Sequence, residues 1–108
     1  MSKSRKKGTT FERTIANYIA LWIPGTDRAA PHGSKDVGDI YIPGENRFII
    51  EAKCHRDMRL SEWVDEAAVE AANAGVHVGV VVHKRTRRPV HDQYVTMTLE
   101  NFMRLMVR

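Results

Sequence analysis

The first hydrophobic pattern along the chain has the period of an α-helix. Large apolar side chains recur at steps of three or four residues: Phe11, Ile15, Ile19 and Trp22. This spacing places them on one face and predicts an amphipathic helix of about three to four turns. Thr9 and Glu12 have the spacing of a capping box. We therefore expect the helix to begin at Thr9 and to end at Pro24-Gly25, with residues 1–8 forming a mobile basic segment.

The middle of the chain reads as β-structure. A short strand is expected within residues 26–36, followed by β-rich runs over 37–42 and 48–53 that are separated by turn residues. Two such runs predict an antiparallel hairpin. With a loop over residues 43–47, Asp39 lies directly opposite Glu51, with Cβ atoms about 4.5–5.5 Å apart. A loop one residue shorter places Asp39 on the other face, so a functional Asp39–Glu51 pair requires the longer turn.

The second half of the chain predicts a β-helix-β unit. Ser61 can cap a helix that ends at Ala74, before Gly75. The valine-rich run over 76–83 has the composition of a strand buried on both faces. Its order after the strand over 48–53 implies a parallel pair joined by a right-handed crossover. With an edge strand over 94–98 and a helix over 99–107, the predicted fold is α/β, with a mixed central sheet flanked by helices.

Composition limits the classes to which this chain can belong. Its 108 residues fit one domain, 1–108, and its 43% hydrophobic and 28% charged residues are ordinary for a soluble protein. No apolar stretch approaches the roughly 20 residues that span a bilayer, and the N-terminus lacks a secretory signal. The single cysteine, Cys54, excludes an intrachain disulfide. We expect a cytoplasmic protein with no membrane partner and, for want of paired Cys and His spacing, no zinc site.

The net charge of +4 is unevenly distributed. Two short clusters hold eight of the 17 lysines and arginines: Lys3, Arg5, Lys6 and Lys7 in one, and Lys84, Arg85, Arg87 and Arg88 in the other. Concentrated positive charge suits a polyanion, so both clusters are candidate DNA-binding segments. The alternative is a solvated tail and a solvated turn with no partner.

The triplet Glu51-Ala52-Lys53 closes an apolar run and carries the candidate chemistry. Because side chains alternate along a strand, Glu51 and Lys53 face one way and Ala52 the other. Asp39, Glu51 and the Ala52 carbonyl are oxygen ligands of the kind that Mg²⁺ binds, with Mn²⁺ as a substitute. Lys53 can orient or help deprotonate a water and offset negative charge. This set predicts metal-dependent phosphodiester hydrolysis; the alternative is a strand with ordinary alternating charges on its solvated face.

An ordered set of short motifs resembles one nuclease family. The motifs are Lys7-Gly8, Glu12-Arg13, the segment from Arg28 to Ser34, Gly38-Asp39-Ile40 and Ile50-Glu51-Ala52-Lys53. Over about residues 7–84 they resemble the archaeal-type Holliday junction resolvases of the PD-(D/E)XK nuclease superfamily, especially those encoded by phages of actinobacteria. Two features depart from this pattern. Gly38 stands where the superfamily has its proline, and the segment after Gln93 has no counterpart.

The resemblance implies a restriction-endonuclease-like core and a Mg²⁺-dependent homodimer that cuts four-way DNA junctions by symmetric paired nicks. Glu12, Asp39 and Glu51 would be the acidic residues of the metal site, and Lys53 the catalytic lysine. Ser34 and Arg28 would contact the DNA or the active site. Glu12 is thus either a metal-site residue or only a helix cap. If the protein is phage-encoded, its compartment is the bacterial host cytoplasm. The alternatives are a flap- or duplex-cutting nuclease of the same superfamily and a non-catalytic nucleic-acid-binding module.

Overall fold

The computed structural model describes residues 3–30 and 37–107, with side chains from Lys6 onward. In chain order the elements are α1 (Lys3–Trp22), β1 (Asp27–Arg28), β2 (Ile40–Tyr41), β3 (Phe48–Lys53), α2 (Leu60–Asn73), β4 (Val78–His83), a 3₁₀ turn (Val90–Asp92), β5 (Tyr94–Thr96) and α3 (Leu99–Met106). Strands β3, β4 and β5 form a sheet in that order, parallel between β3 and β4 and antiparallel between β4 and β5. The predicted α/β class with a mixed sheet is confirmed.

Helix α1 begins six residues earlier than the capping pattern predicted. It runs from Lys3 to Trp22, so Thr9 and Glu12 lie inside it and the predicted cap at Thr9 is wrong. Lysine and arginine are good helix formers, and one internal glycine, Gly8, costs only about 1 kcal/mol. The end before Pro24-Gly25 is as predicted. Of the helices that the structure describes, none is both long and apolar enough to cross a membrane.

The predicted hairpin between residues 37–42 and 48–53 is wrong. Strand β2 pairs instead with β1, with Asp27 opposite Tyr41 and Arg28 opposite Ile40. Asp39 joins the two sheets through its backbone: its carbonyl accepts from Ala29 N–H at 2.9 Å, and its own N–H donates to the Ile50 carbonyl at 2.8 Å. Because the backbone of Asp39 is hydrogen-bonded on both sides, the run over 37–42 bridges β1 and β3 rather than forming a ladder with β3.

Helix α2 also differs from prediction at its start but not at its end. It begins at Leu60 after Arg59, which makes no side-chain cap bond, so Ser61 lies in the first turn and is not the cap. At the other end Gly75 adopts φ +74°. Gly75 N–H donates to the Ala72 carbonyl and Val76 N–H to the Ala71 carbonyl. This is the Schellman pattern that favours glycine after a helix, and it confirms the predicted stop.

Close packing between α2 and β4 depends on a glycine. A Cβ built on Gly79 would lie 2.3 Å from the Ala67 carbonyl oxygen, which no real contact allows. Ala67 itself is fully buried. The alanine-rich face of α2 therefore lies directly on the sheet backbone, and this contact sets how far the longer side chains of α2 reach toward β3.

The sheet separates two apolar layers. On one face, β3 and β4 pack against α1 through a cluster that includes Phe11, Ile15, Ile50, Val80 and Val82. On the other face Val81 packs against Trp63 and Ala67 of α2. All six residues of β4 are buried, which confirms the predicted central strand. Since side chains alternate, Glu51 and Lys53 face α2 while Ile50 faces α1.

Candidate active site

Glu51 is a buried carboxylate on the α2 face of β3. Its residue is 7% exposed, and its Oε2 atom has no hydrogen-bond partner among the described residues. Burial raises the pKa of Glu51 from its usual 4.5 to about 7, and the nearby charge of Asp39 adds to this, although a hydrogen bond with Glu70 and the charge of Lys53 oppose it. A cation bound next to Glu51 would lower its pKa and favour the ionised carboxylate.

Lys53 lies between two carboxylates. Its Nζ atom is 3.5 Å from Glu51 Oε1 and donates a hydrogen bond to Glu66 Oε2 at 2.6 Å. Burial alone would lower the pKa of the Lys53 ammonium, but the Glu66 hydrogen bond and the Glu51 charge outweigh it, so the pKa is raised. Lys53 is therefore protonated at neutral pH in this arrangement. Of the roles predicted for it, stabilising negative charge fits better than removing a proton.

Asp39 reaches the site from the edge of β3. Its Oδ2 atom accepts a hydrogen bond from Ala52 N–H at 2.8 Å, and its carboxyl interacts with that of Glu51. The N–H and C=O of a strand residue point to the same side, so the Ala52 carbonyl faces the edge where Asp39 lies. The predicted proximity of Asp39 and Glu51 is present in the structure, although the hairpin register from which it was argued is not.

Gly38 explains how the chain brings Asp39 to this edge. Its φ is +99°, and a Cβ there would lie 3.1 Å from both Ile49 Cβ and the Ile50 carbonyl oxygen. Proline is fixed near φ −65°, so it cannot take this conformation. The departure from the superfamily pattern at this position thus has a local backbone reason.

Glu12 does not cap α1; it faces β1. Its Oε1 atom lies 3.7 Å from Nη2 of Arg28, and both side chains are partly buried. The interpretation of Glu12 as a helix cap is therefore wrong, and its role at a metal site stays a prediction. Arg28, expected to contact DNA, is engaged with Glu12. Ser34 and the side chains of Lys3 and Arg5 lie outside the described residues.

Two carboxylates that sequence reasoning missed complete the site. Glu66 and Glu70 stand one helical turn apart on α2, and they meet Lys53 and Glu51, which stand two residues apart on β3. The spacings match because a helical turn rises about 5.4 Å and two strand residues about 6.7 Å. A signal existed in the sequence: Glu70 occupies a core position of the α2 pattern, alongside buried Ala67 and Ala71.

The oxygen atoms around Glu51 form a donor set for a divalent cation. Within residues 3–30 and 37–107, no three His, Cys, Asp or Glu side chains form a ready ligand cluster. The carboxyl groups of Asp39 and Glu51 nevertheless interact, Glu51 Oε2 is buried with no hydrogen-bond partner in the described part of the chain, and the Ala52 carbonyl faces the same edge. Carboxylate and carbonyl oxygens are what Mg²⁺ takes while keeping several waters. The residues fit a cation held by two carboxylates and completed by water or substrate.

The predicted DNA-binding residues fall into two groups. Lys6 and Lys7 on α1 and Lys84 and Arg88 after β4 line one cavity. Arg85 instead lies over the Tyr94 ring, 4.0 Å from its centroid, and donates to the Asp92 carbonyl. Arg87 is exposed. The structure brings two clusters together that are far apart in the sequence.

Comparison with known families agrees with this geometry. A model of the phage putative PDDEXK endonuclease family matches residues 3–107. The chain belongs to that family. Membership places the chain in the PD-(D/E)XK nuclease superfamily and implies DNA as the class of substrate. No curated protein and no solved structure gives a significant match.

Proposed function

We propose that this family member is a Mg²⁺-dependent endonuclease that resolves four-way DNA junctions as a homodimer. The observation that carries metal-dependent cleavage is the Glu51 carboxylate, buried between Asp39 and Lys53 with one oxygen free of hydrogen bonds among the described residues. A structural ion pair would satisfy both oxygens; this one leaves an acceptor for a cation.

Each residue of the proposed site has a separate role. Asp39 and Glu51 would hold the cation, with the Ala52 carbonyl as a third oxygen. Lys53, kept protonated by Glu51 and Glu66, stabilises negative charge that develops on the phosphate. The Asp39–Ala52 hydrogen bond fixes one carboxylate against the strand, and contact with α2 fixes the other. When bound, Mg²⁺ or Mn²⁺ supplies electrostatic stabilisation of the phosphoryl oxygens and makes a water more acidic.

Two features support a junction as substrate and a dimer as the active form. The ordered motifs from Lys7 to Lys53 resemble those of junction resolvases. Helix α3 and β5 also expose several large apolar side chains, among them Leu99, Phe102, Met103 and Met106. A four-way junction offers two equivalent strands, which a two-fold symmetric pair of sites can cut together. In a bacterial host such DNA, and the enzyme acting on it, is cytoplasmic.

The experiment is cleavage of a labelled synthetic four-way junction beside a linear duplex of equal length. Native protein and the Glu51→Gln variant are compared with Mg²⁺, with Mn²⁺ and with chelator. We expect paired symmetric nicks on the junction alone, lost in chelator and in the variant. An analytical ultracentrifugation run on the same samples tests the dimer.

The alternatives appear as distinct outcomes. Cutting of flaps or linear duplex as well as the junction would make the chain a PD-(D/E)XK nuclease of broader specificity. Binding without cutting under any of the metals would contradict the catalytic proposal and leave a DNA-binding module on a nuclease fold.

A further inference from the structure

A cavity of about 600 Å³ lies between α1 and the turn that follows β4. Four cationic side chains line it, together with Thr10, Thr14 and Gln93: Lys6, Lys7, Lys84 and Arg88. All four are exposed. Among the described residues no carboxylate lines the cavity, and the hydroxyls of Thr10 and Thr14 add hydrogen-bonding groups. We call it the basic groove.

The cations of the basic groove differ from most arginines elsewhere in the described chain. Those pair with a nearby carboxylate, in the pairs Arg13–Asp27, Arg28–Glu12, Arg47–Glu45, Arg59–Glu62 and Arg104–Glu100. None of the four groove cations has such a partner among the described residues. Like charges brought together repel one another, so an arrangement of this kind is stabilised by an anionic ligand.

The turn on one side of the groove is held in place. Gln93 accepts from Arg85 N–H and donates from Nε2 to the carbonyls of Arg88 and Pro89. Within the turn Arg87 has φ +65°, in the left-handed region that non-glycine residues rarely adopt. The hydrogen bonds of Gln93 therefore hold the segment that carries Lys84 and Arg88 in a strained backbone conformation.

We propose that the basic groove binds phosphates of one continuous stretch of nucleic-acid backbone, using both basic clusters at once. This rests on the proposed function only in taking DNA as the partner. Lys84 N–H donates to the Lys53 carbonyl at 3.0 Å, so the groove adjoins the catalytic strand. Helix α1 forms one wall of the groove, and α1 packs on the sheet face opposite α2. The groove therefore lies on the face opposite Glu51 and Lys53. The bound backbone therefore passes the carboxyl ends of β3 and β4 and is distinct from the phosphate that is cut.

A short linear duplex separates this proposal from one in which each cluster holds a different junction arm. About 12 base pairs span about 40 Å, close to the 38 Å longest dimension of the protein. Binding of a fluorescein-labelled duplex of this length is measured by anisotropy, in chelator, across a salt series. The proteins are native chain, Lys6→Ala/Lys7→Ala, Lys84→Ala/Arg88→Ala and the quadruple variant.

We expect each double variant to lower affinity at least about tenfold and to reduce the salt slope by about two. The quadruple variant should lose no more than the product of the two losses, because both pairs act on the same bound duplex. The matched control is Arg47→Ala/Arg104→Ala, which removes the same charge from paired arginines at the other end of β4. It should change affinity by less than about threefold, and all variants should keep native circular dichroism.

A quadruple loss larger than the product of the two double losses, an unchanged affinity in either double variant, or an equal loss in the control would overturn the proposal. Inorganic phosphate should compete with the duplex no better than sulfate at equal ionic strength; selective competition by phosphate would assign the groove to a small anion instead. Because binding is measured without metal, a groove effect in a protein that cuts nothing refutes only the endonuclease proposal. If the native protein cleaves DNA and the groove variants bind the duplex as tightly as native protein does, only the proposal about the basic groove is refuted.

Discussion

The active site and the basic groove handle charge in opposite ways. At the site, Glu51 is buried and Lys53 is half-buried, and the Lys53 ammonium is paired with the carboxylates of Glu51 and Glu66. In the groove, cations are exposed and no described carboxylate neutralises them. Matched buried charges hold groups in fixed positions for chemistry, whereas unmatched surface charges provide attraction for a polyanion. The difference indicates that cleavage and binding are separable in this chain, and the predictions below test that separation.

The largest expected effect is on cleavage alone. Glu51→Gln and Asp39→Asn each remove a cation ligand while keeping side-chain size. We expect cleavage to fall by at least about 10²-fold. Duplex binding in chelator should stay within about threefold of native or tighten slightly, because a negative charge is lost. Parallel cleavage and anisotropy measurements check this; a matching loss of binding would show that the two regions are not separable.

The next effect is on stability as a function of pH. Since burial raises the pKa of Glu51 from 4.5 to about 7, the folded protein binds more protons than the unfolded chain between these values. Stability should therefore fall as pH rises through this window, by at most about 3 kcal/mol. His83, whose pKa is lowered from its usual 6.5 by burial, contributes the opposite slope below pH 6.5, which overlaps the Glu51 window.

Urea unfolding at several pH values, on native protein and Glu51→Gln, isolates the Glu51 contribution, because His83 is common to both. The falling slope should disappear in the variant, and Mg²⁺ should stabilise native protein more at the high end of the window. Identical pH profiles for the two proteins would contradict the assignment of the raised pKa to Glu51.

The positive φ of Gly38 positions the following residue, Asp39, at the site. Gly38→Ala places a Cβ 3.1 Å from the Ile50 carbonyl oxygen at a positive φ, so we expect a loss of about 2 kcal/mol in unfolding free energy. Cleavage should fall more than duplex binding, because the groove is formed by other elements. Gly44→Ala is a control at positive φ with open space around it; its effect should be smaller and confined to stability.

The smallest predicted effect concerns Glu66. Glu66→Ala frees the Lys53 ammonium and should lower kcat about tenfold, with KM unchanged or lower because a negative charge near DNA is removed. Glu66→Gln keeps an acceptor for Lys53 and should recover most of the rate. Glu62→Ala, on the same helix but paired with Arg59, is the matched control. A rise in KM at constant kcat would mean that Glu66 acts on substrate binding rather than on Lys53.

The sequence predicted most elements because their signals are local. Apolar spacing identified α1, the valine run identified β4, and Gly75 marked the end of α2. Boundaries that depend on caps were less accurate: α1 extends back to Lys3 and α2 begins before Ser61. The hairpin failed because strand pairing is a choice among distant partners. Strand β2 pairs with the two residues of β1 rather than with β3, and no local sequence pattern distinguishes these two partners.

For the site, the strand alternation that puts Glu51 and Lys53 on one face followed from the sequence alone, since the side-chain period is intrinsic to an extended backbone. The family-like motifs also placed Asp39 beside them. Glu66 and Glu70 did not follow, because their contact with β3 depends on how closely α2 packs, which Gly79 and Ala67 set.

Sequence by itself therefore determined the fold class, the candidate catalytic strand and the two basic clusters. Only the tertiary structure decided that β2 joins β1, that α2 supplies two further carboxylates, and that Lys6 and Lys7 meet Lys84 and Arg88 in one groove. The physical reason is the same in each case. Periodicity and turn chemistry act between neighbours along the chain, whereas pairing, desolvation and charge clustering depend on residues that only folding brings together.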